Sequence, residues 1–280
     1  MNTEKKKELM RLAAHIRMDI LTEVYSANSG HPGGSLSIAD ALAYLYHEVL
    51  RVDPKQPDKP TRDRFVLSKG HTAPALYAVL AERGFIPKED LTGFRNIDSY
   101  LQGHPDMKHT PGCDMTSGSL GLGISAAAGM ALGAKVQGRR FRVYAMLGDG
   151  ELAEGQVWEA SMFSAHYKLD NLCAFVDWNG LQIDGRIVDV MNSTPIDKKF
   201  RAFGWHVQVI DGHDFDQIEK AVNSAKRTKG KPSVIILKTT KGKGVSYMED
   251  KASWHGAAPN KEQYEQGMAE LNAALEAIDA

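Results

Sequence analysis

The sequence predicts an α/β fold: a mostly parallel sheet with helices on both faces. Two observations carry this. Strand-like apolar runs at residues 64–67, 141–147, 171–176, 205–210 and 233–237 alternate with segments of helical periodicity. The central unit, strand 141–147, helix 154–167 and strand 171–176, also requires a parallel pairing, because a helical crossover returns the chain in the same direction. No internal repeat, low-complexity tract or linker interrupts the pattern, so residues 1–280 are expected to form a single domain.

The elements follow in order. Leu9, Leu12, Ala13, Ile16, Ile20 and Val24 recur at three- and four-residue spacing and give the first helix one apolar stripe. A cluster of breakers from Ser26 to Gly34 stops it, and a second helix turns Ile38, Leu42, Leu45 and Val49 inward. Residues 52–63, with three prolines and many charges, form a surface loop; the short strand 64–67 leads into Ser68-Lys69-Gly70-His71 and a helix over 72–83. After an irregular stretch to Ser117, residues 118–135 are almost wholly Gly, Ala, Ser and small aliphatics, a helix that lets a neighbour approach closely. Beyond the central unit come a helix over 197–203 and a strand over 205–210. Asp214 as N-cap with Gln217 as its N3 partner then opens a helix with Phe215, Ile218, Val222 and Ala225 inward. The strand 233–237 is followed by a last helix over about 261–278, with Met268, Leu271, Leu275 and Ile278 on one side.

Composition excludes several classes. Lys and Arg total 34 against 35 Asp and Glu, a formal net charge of -1, so there is no basic footprint for nucleic acid. Cys113 and Cys173 make neither a disulfide framework nor a zinc-ligand spacing. No apolar stretch approaches a membrane span and the N-terminus lacks a signal-peptide core; a soluble, cytoplasmic protein is expected.

The most informative motif is Gly148-Asp149-Gly150, with Asp177-Trp178-Asn179 after the next strand. Loops that follow parallel strands open at the same end of the sheet, so an Asp and an Asn placed there can converge on a hard divalent cation that takes oxygen ligands. Taken alone, Gly-Asp-Gly also fits a plain turn. Of ten histidines, four lie in glycine-bearing loops: His31, His71, His104 and His255. Any one could be a surface group; together they offer donors and acceptors for a polyhydroxylated substrate and its protons. His15, His47, His109, His166, His206 and His213 read as structural. Gly118 to Gly123 opens a helix whose free N–H groups suit an anion, or serve only close packing; no strand precedes it, which argues against a dinucleotide fingerprint. Lys69 and Lys241 follow strands and could reach a phosphate, although solvent exposure is the default for each. Glu154 and Glu159 read as surface acids or as acids at a subunit contact.

In their order, Ser29-Gly30-His31-Pro32-Gly33-Gly34, Leu67-Ser68-Lys69-Gly70-His71, Gly103-His104-Pro105, Gly118 to Gly123, Gly148 to Gly155, Asn179 and His255-Gly256 resemble the thiamine-diphosphate-binding N-terminal domain of transketolase. The histidine loops resemble transketolase more than the oxo-acid dehydrogenases or deoxyxylulose-phosphate synthase. Ser119 departs from the pattern, standing where many fused transketolases carry Pro.

The resemblance implies the diphosphate-domain fold and a role for each matching residue. Asp149 and Asn179 would bind Mg²⁺ (or Ca²⁺ or Mn²⁺) through their side chains and Leu181 through its carbonyl, with diphosphate oxygens and water completing the shell. Lys69, His71, Gly118, Leu120, Gly150, Lys241 and His255 would line the cofactor. His31, His104 and His255 would contact sugar hydroxyls or move protons. Glu154 and Glu159 would sit between paired subunits, the first counted with the catalytic groups and the second with the cofactor groups.

Fused transketolases continue into a pyrimidine-binding domain that activates the cofactor. The expectation is therefore the N-terminal subunit of a split transketolase, inactive without its C-terminal partner subunit. Two of each chain would make up the assembly. It would transfer a two-carbon ketol unit between sugar phosphates, as in the pentose phosphate pathway. Alternatives are a related transferase for an unusual ketose phosphate or sulfonate, and a non-catalytic cofactor-binding module.

Overall fold

The structure is a computed structural model that describes residues 1–279. Helix α1 (Thr3–Ser26) starts on Asn2, whose side-chain oxygen accepts the Lys5 N–H at 2.8 Å, and it buries the expected stripe from Leu9 to Val24. It ends at Ser26, just before Asn28 turns left-handed at a φ of 46°, and beyond it Gly30 takes a φ of 147°, with Val24 so close that a Cβ there would stand 2.8 Å from its Cγ2. The breaker cluster hides one helical turn. Pro32, pre-set for a first helical position, opens α2 (Pro32–Leu36). The second expected helix forms as α3 (Ala39–Tyr44) and runs into a π-turn over Leu45–Val49.

Strand β1 (Arg64–Leu67) is followed by α4 (Ala73–Glu82), and the small-residue segment becomes α5 (Leu122–Val136). This helix begins four residues later than expected because Gly121, at a φ of 84°, is left-handed and breaks the turn before it. The central unit is β2 (Val143–Gly148), α6 (Gly155–His166) and β3 (Leu172–Trp178). A small hairpin, β4 (Leu181–Gln182) and β5 (Gly185–Arg186), and the turn α7 (Ile187–Val190) follow; two-residue strands carry no periodicity, so no pattern in the sequence announces them. Then come α8 (Ile196–Ala202), β6 (His206–Asp211), α9 (Phe215–Arg227), β7 (Ser233–Lys238) and α10 (Lys261–Asp279). Asp214 caps α9 as expected, accepting the Asp216 and Gln217 N–H groups. Gln217, however, reaches back to the Asp214 carboxylate and accepts the Asp211 N–H instead of closing the reciprocal box.

The main sheet has the order β1-β2-β3-β7-β6, and every neighbouring pair is parallel. Alternate strand residues feed two cores. Phe65, Tyr144, Met146, Phe175, Ile235 and Leu237 pack with α1, α3, α4 and α9, while Val66, Ala145, Leu147, Ala174, Val176 and Ile236 pack with α5, α6 and α8. Helices thus cover both faces. No helix among the described residues is long and apolar enough to cross a membrane. Because all five strands run the same way, the loops after β1, β2, β3 and β7 meet at one end of the sheet.

Candidate active site at the carboxyl ends of the strands

The floor of this end is a buried ion pair. Lys69, just past β1, donates to Asp177 Oδ2 at 2.6 Å and to the Gly34 carbonyl at 2.8 Å. Asp177 lies in β3 and also accepts from Ser37 Oγ at 2.6 Å, Asn179 Nδ2 at 3.0 Å and the Thr239 hydroxyl. Burial alone would raise its carboxyl; the Lys69 charge and these donors hold it below the usual carboxylate value. Neither lysine follows its solvent-exposed default. Lys69 and Lys241 are each 2% exposed, because long-range contacts no local pattern reports close over them.

Asp149 stands beside this pair at the end of β2. Its Oδ1 accepts the Gly150 N–H at 2.8 Å and its Oδ2 the Gly180 N–H at 2.6 Å. Burial first, and then the Asp177 charge, push its carboxyl up to about 7. Asn179 Oδ1 accepts the Leu181 N–H at 3.1 Å, which folds the chain so that Asp149, Asn179 and Leu181 line one cavity of about 270 Å³.

On the other side of that cavity three imidazoles touch. Ring centroids are 5.1 Å apart for His31 and His71, 5.4 Å for His31 and His255, and 5.2 Å for His71 and His255. Burial, followed by the charge of a nearby cation, lowers all three: His31 to about 4 beside Arg95, His71 to about 2 beside Lys69, and His255 to about 3 beside Lys241. Lys241 donates to His255 Nδ1 at 3.0 Å and faces the Leu181 carbonyl at 3.4 Å. Burial and then Lys69 bring its ammonium down to about 8.

The donor set suits a hard cation shared with a phosphorylated ligand. Among the described residues no group of three His, Cys, Asp or Glu side chains could cage a metal, so an ion here would rest on one carboxylate, on amide and carbonyl oxygens and on ligand atoms. The cavity also wants an anion. Lys241 is buried without a carboxylate partner among the described residues, Gln182 Nε2 is buried and unpaired, and Gly118, Gly148 and Gly150 leave the wall bare of side chains.

Of the residues expected from sequence, His31, Lys69, His71, Gly118, Leu120, Asp149, Gly150, Asn179, Leu181, Lys241 and His255 line this one cavity. His104 sits just behind the wall, its ring 3.5 Å from where a Cβ on Gly118 would stand. Glu154 and Glu159 do not line the cavity; both are exposed in the single chain. Glu159 instead borders a separate groove between α5 and α6 with Ser125, Ala128, Gly129 and Phe163.

Sequence reasoning misses three supports. Asp177 falls within the central motif yet receives no role from it. Glu151 is buried and accepts from Ser68 Oγ at 2.5 Å, Gly121 N at 2.8 Å and Gly148 N at 3.0 Å, so it ties three site loops together. Arg95, at a φ of 63°, donates to Ser29 Oγ at 2.6 Å and sets the field around His31 and His104. A positive-φ arginine gives no signal in sequence.

Comparison with known proteins agrees with this geometry. The family model described as the transketolase thiamine diphosphate binding domain matches residues 9–273. The 6-deoxy-6-sulfo-D-fructose transketolase subunit SqwG of a Clostridium species is 48% identical over 269 residues, covering 96% of this chain and 98% of that relative. One of the apulose-4-phosphate transketolase subunits, from Phocaeicola vulgatus, is 41% identical over 263 residues, covering 94% of this chain and 93% of its own length. Human transketolase is 42% identical over 274 residues, but the chain spans only 43% of it. The crystal structure of Campylobacter jejuni transketolase superposes with a TM-score of 0.89 at 32% identity, over 97% of this chain and 45% of that one. The chain belongs to the family of transketolase thiamine-diphosphate-binding domains.

Proposed function

We propose that this chain is the N-terminal subunit of a two-chain ketol transferase. It grips thiamine diphosphate and a divalent cation, Mg²⁺ in the first place, and with a C-terminal partner subunit moves a two-carbon ketol unit from a ketose to an aldose phosphate. The observation that carries this reading is the buried, carboxylate-free Lys241 facing the same cavity as Asp149, Asn179 and Leu181. Thiamine diphosphate, when bound, supplies the carbanion chemistry. This chain's part is to hold and orient. Asp149, Asn179 and the Leu181 carbonyl bind the cation, while Lys241, Gly118, Leu120 and Gly150 receive the diphosphate. Lys69 keeps Asp177 ionised beneath them. His31 and His255, with His104 behind, grip sugar hydroxyls and move their protons, and His71 packs against that pair.

The partner has a surface to use. The groove between α5 and α6 is lined by Ser125, Ala128, Gly129 and Ala160 together with Gln156, Glu159 and the exposed Phe163, and the same two helices expose Leu122 and Met162. Glu159 borders it and Glu154 stands at the start of α6; both face the partner in an assembly of two chains of each kind. Relatives named as subunits and matched along nearly their whole length support a separate partner chain.

Two such relatives are named for a sulfonated fructose and for apulose phosphate, which favours an unusual ketose as donor over the pentose phosphate pathway. The test mixes this chain with its candidate partner, thiamine diphosphate and Mg²⁺, and compares xylulose 5-phosphate with 6-deoxy-6-sulfo-D-fructose as donors to an aldose phosphate. Transfer in the mixture and not in either chain alone is the expected result, with the better donor setting the substrate class. An assembled complex that binds the cofactor and transfers nothing from any ketose would leave a binding module instead.

A further inference from the structure

His213 lies outside the cavity, in the turn between β6 and α9, and its sequence context marks it only as structural. Its two ring nitrogens are nevertheless committed. Nδ1 stands 2.7 Å from Asp40 Oδ2, and Nε2 stands 2.9 Å from the backbone nitrogen of Thr240. A backbone N–H can only donate, so Nε2 carries no proton; the Asp40 carboxylate can only accept, so Nδ1 carries it. Arg17 fixes Asp40 in turn, with Nη1 at 3.2 Å from Oδ1 and Nη2 at 2.5 Å from Oδ2. Thr240 immediately precedes Lys241, whose ammonium faces His255 and the Leu181 carbonyl.

We propose that His213 is a positioning residue. Held in one tautomer by Arg17 and Asp40, it fixes the Thr240 backbone and thereby aims Lys241 into the cavity. The loop has other anchors. The Gly242 N–H donates to the Gly33 carbonyl at 2.9 Å and the Asp250 N–H to the Lys241 carbonyl at 2.9 Å. Thr240 is the point where a side chain from another element grips the backbone next to Lys241, so its release lets the base of that side chain shift while the fold stays intact. The use of Lys241 for a diphosphate rests on the function proposed above; the tautomer and the loop anchoring do not.

Two substitutions separate positioning from plain packing. In His213→Gln the amide oxygen stands in for Nε2 and can accept the Thr240 N–H. In His213→Asn the amide nitrogen stands in for Nδ1 and can reach Asp40, but Thr240 loses its acceptor. Hydrogen exchange on the full chain should show residue 240 exchanging roughly tenfold faster in His213→Asn, the worth of one lost buried hydrogen bond, and within about threefold of wild type in His213→Gln. Thiamine diphosphate affinity with Mg²⁺ and the partner, measured by calorimetry, should weaken by a similar ~tenfold in the Asn variant alone. Nitrogen-15 histidine spectra of the wild-type chain should report His213 protonated on Nδ1.

Equal effects of the two substitutions, faster exchange with unchanged cofactor affinity, or a proton on Nε2 would each overturn the proposal. Should His213→Asn fail to fold, the wild-type spectrum still decides the tautomer on which everything rests. A wild-type complex that bound no thiamine diphosphate would defeat the functional reading, while the exchange comparison would still decide whether His213 anchors the loop.

Discussion

Glu23 offers a sharp test of how burial is balanced in this fold. It lies on the inward side of α1, is 0% exposed, and neither carboxylate oxygen has a hydrogen-bond partner among the described residues. Burial, and then the neighbouring Asp19 charge, raise its pKa well above the ordinary 4.5, so the folded chain holds this proton to higher pH than the unfolded chain does. The sign follows from linkage. Its contribution to stability is fully present below about pH 4.5 and is lost as pH rises toward the folded value, because the unfolded chain ionises first. Each pH unit above the unfolded value costs about 1.4 kcal/mol while the proton stays on. Replacing Glu23 with Met, similar in length and apolar, removes that slope together with two unsatisfied oxygens, worth ~1–3 kcal/mol at any pH. The variant should therefore be more stable than wild type, and its advantage should grow from pH 5 to pH 7 by up to about 1.4 kcal/mol for each unit. Asp19 is raised to about 7 and titrates in both proteins, so the difference reads Glu23 together with its interaction with the Asp19 charge. Urea unfolding at the two pH values measures it. An advantage that does not change with pH, or a variant less stable at both, would refute the protonated, unpartnered state.

Three further outcomes follow from the site. Asp149→Ala should abolish Mg²⁺-dependent retention of thiamine diphosphate in the assembled complex, as read by calorimetry; full retention would remove Asp149 from the cation site. Lys69→Met strands the fully buried Asp177 charge and should lower stability by about 3–5 kcal/mol, measured by denaturant unfolding, with loss of cofactor affinity alongside. Two glycines of α5 should respond oppositely in thermal unfolding of the chain alone. A Cβ on Gly123 would stand 2.6 Å from the Ser68 Cα, backbone that cannot yield, so Gly123→Ala should cost ~1–3 kcal/mol; a Cβ on Gly129 would meet nothing within 4 Å among the described residues, so Gly129→Ala should stabilise by up to about 1 kcal/mol and, under the proposed docking of the partner on α5, weaken assembly.

Much of the framework is legible in the sequence because it is local. The five strand runs, the stripe of α1 and the capping of α9 are set by periodicity and by side chains a few residues apart. The loops carrying Asp149, Asn179 and His71 are legible too, since a parallel sheet sends the ends of its strands to one place, whereas His31 follows a helix and joins them only through packing. What stays hidden depends on distant contacts. Lys69 meets Asp177 across 108 positions, and Glu151 meets Ser68 across 83; nothing near either residue in the chain announces burial. His213 looks structural for the same reason, its partner Asp40 lying 173 positions away. The hairpin of β4 and β5 escapes on different grounds, being too short to show a period.

The touching rings of His31, His71 and His255 have a consequence for the charge of the cavity. Burial and the cations around them keep all three neutral at pH 7, so the positive charge on this side of the cavity rests with lysine and not with imidazole. A neutral imidazole can donate from one nitrogen and accept at the other, so the wall meets a ligand with both kinds of group and adds no charge of its own.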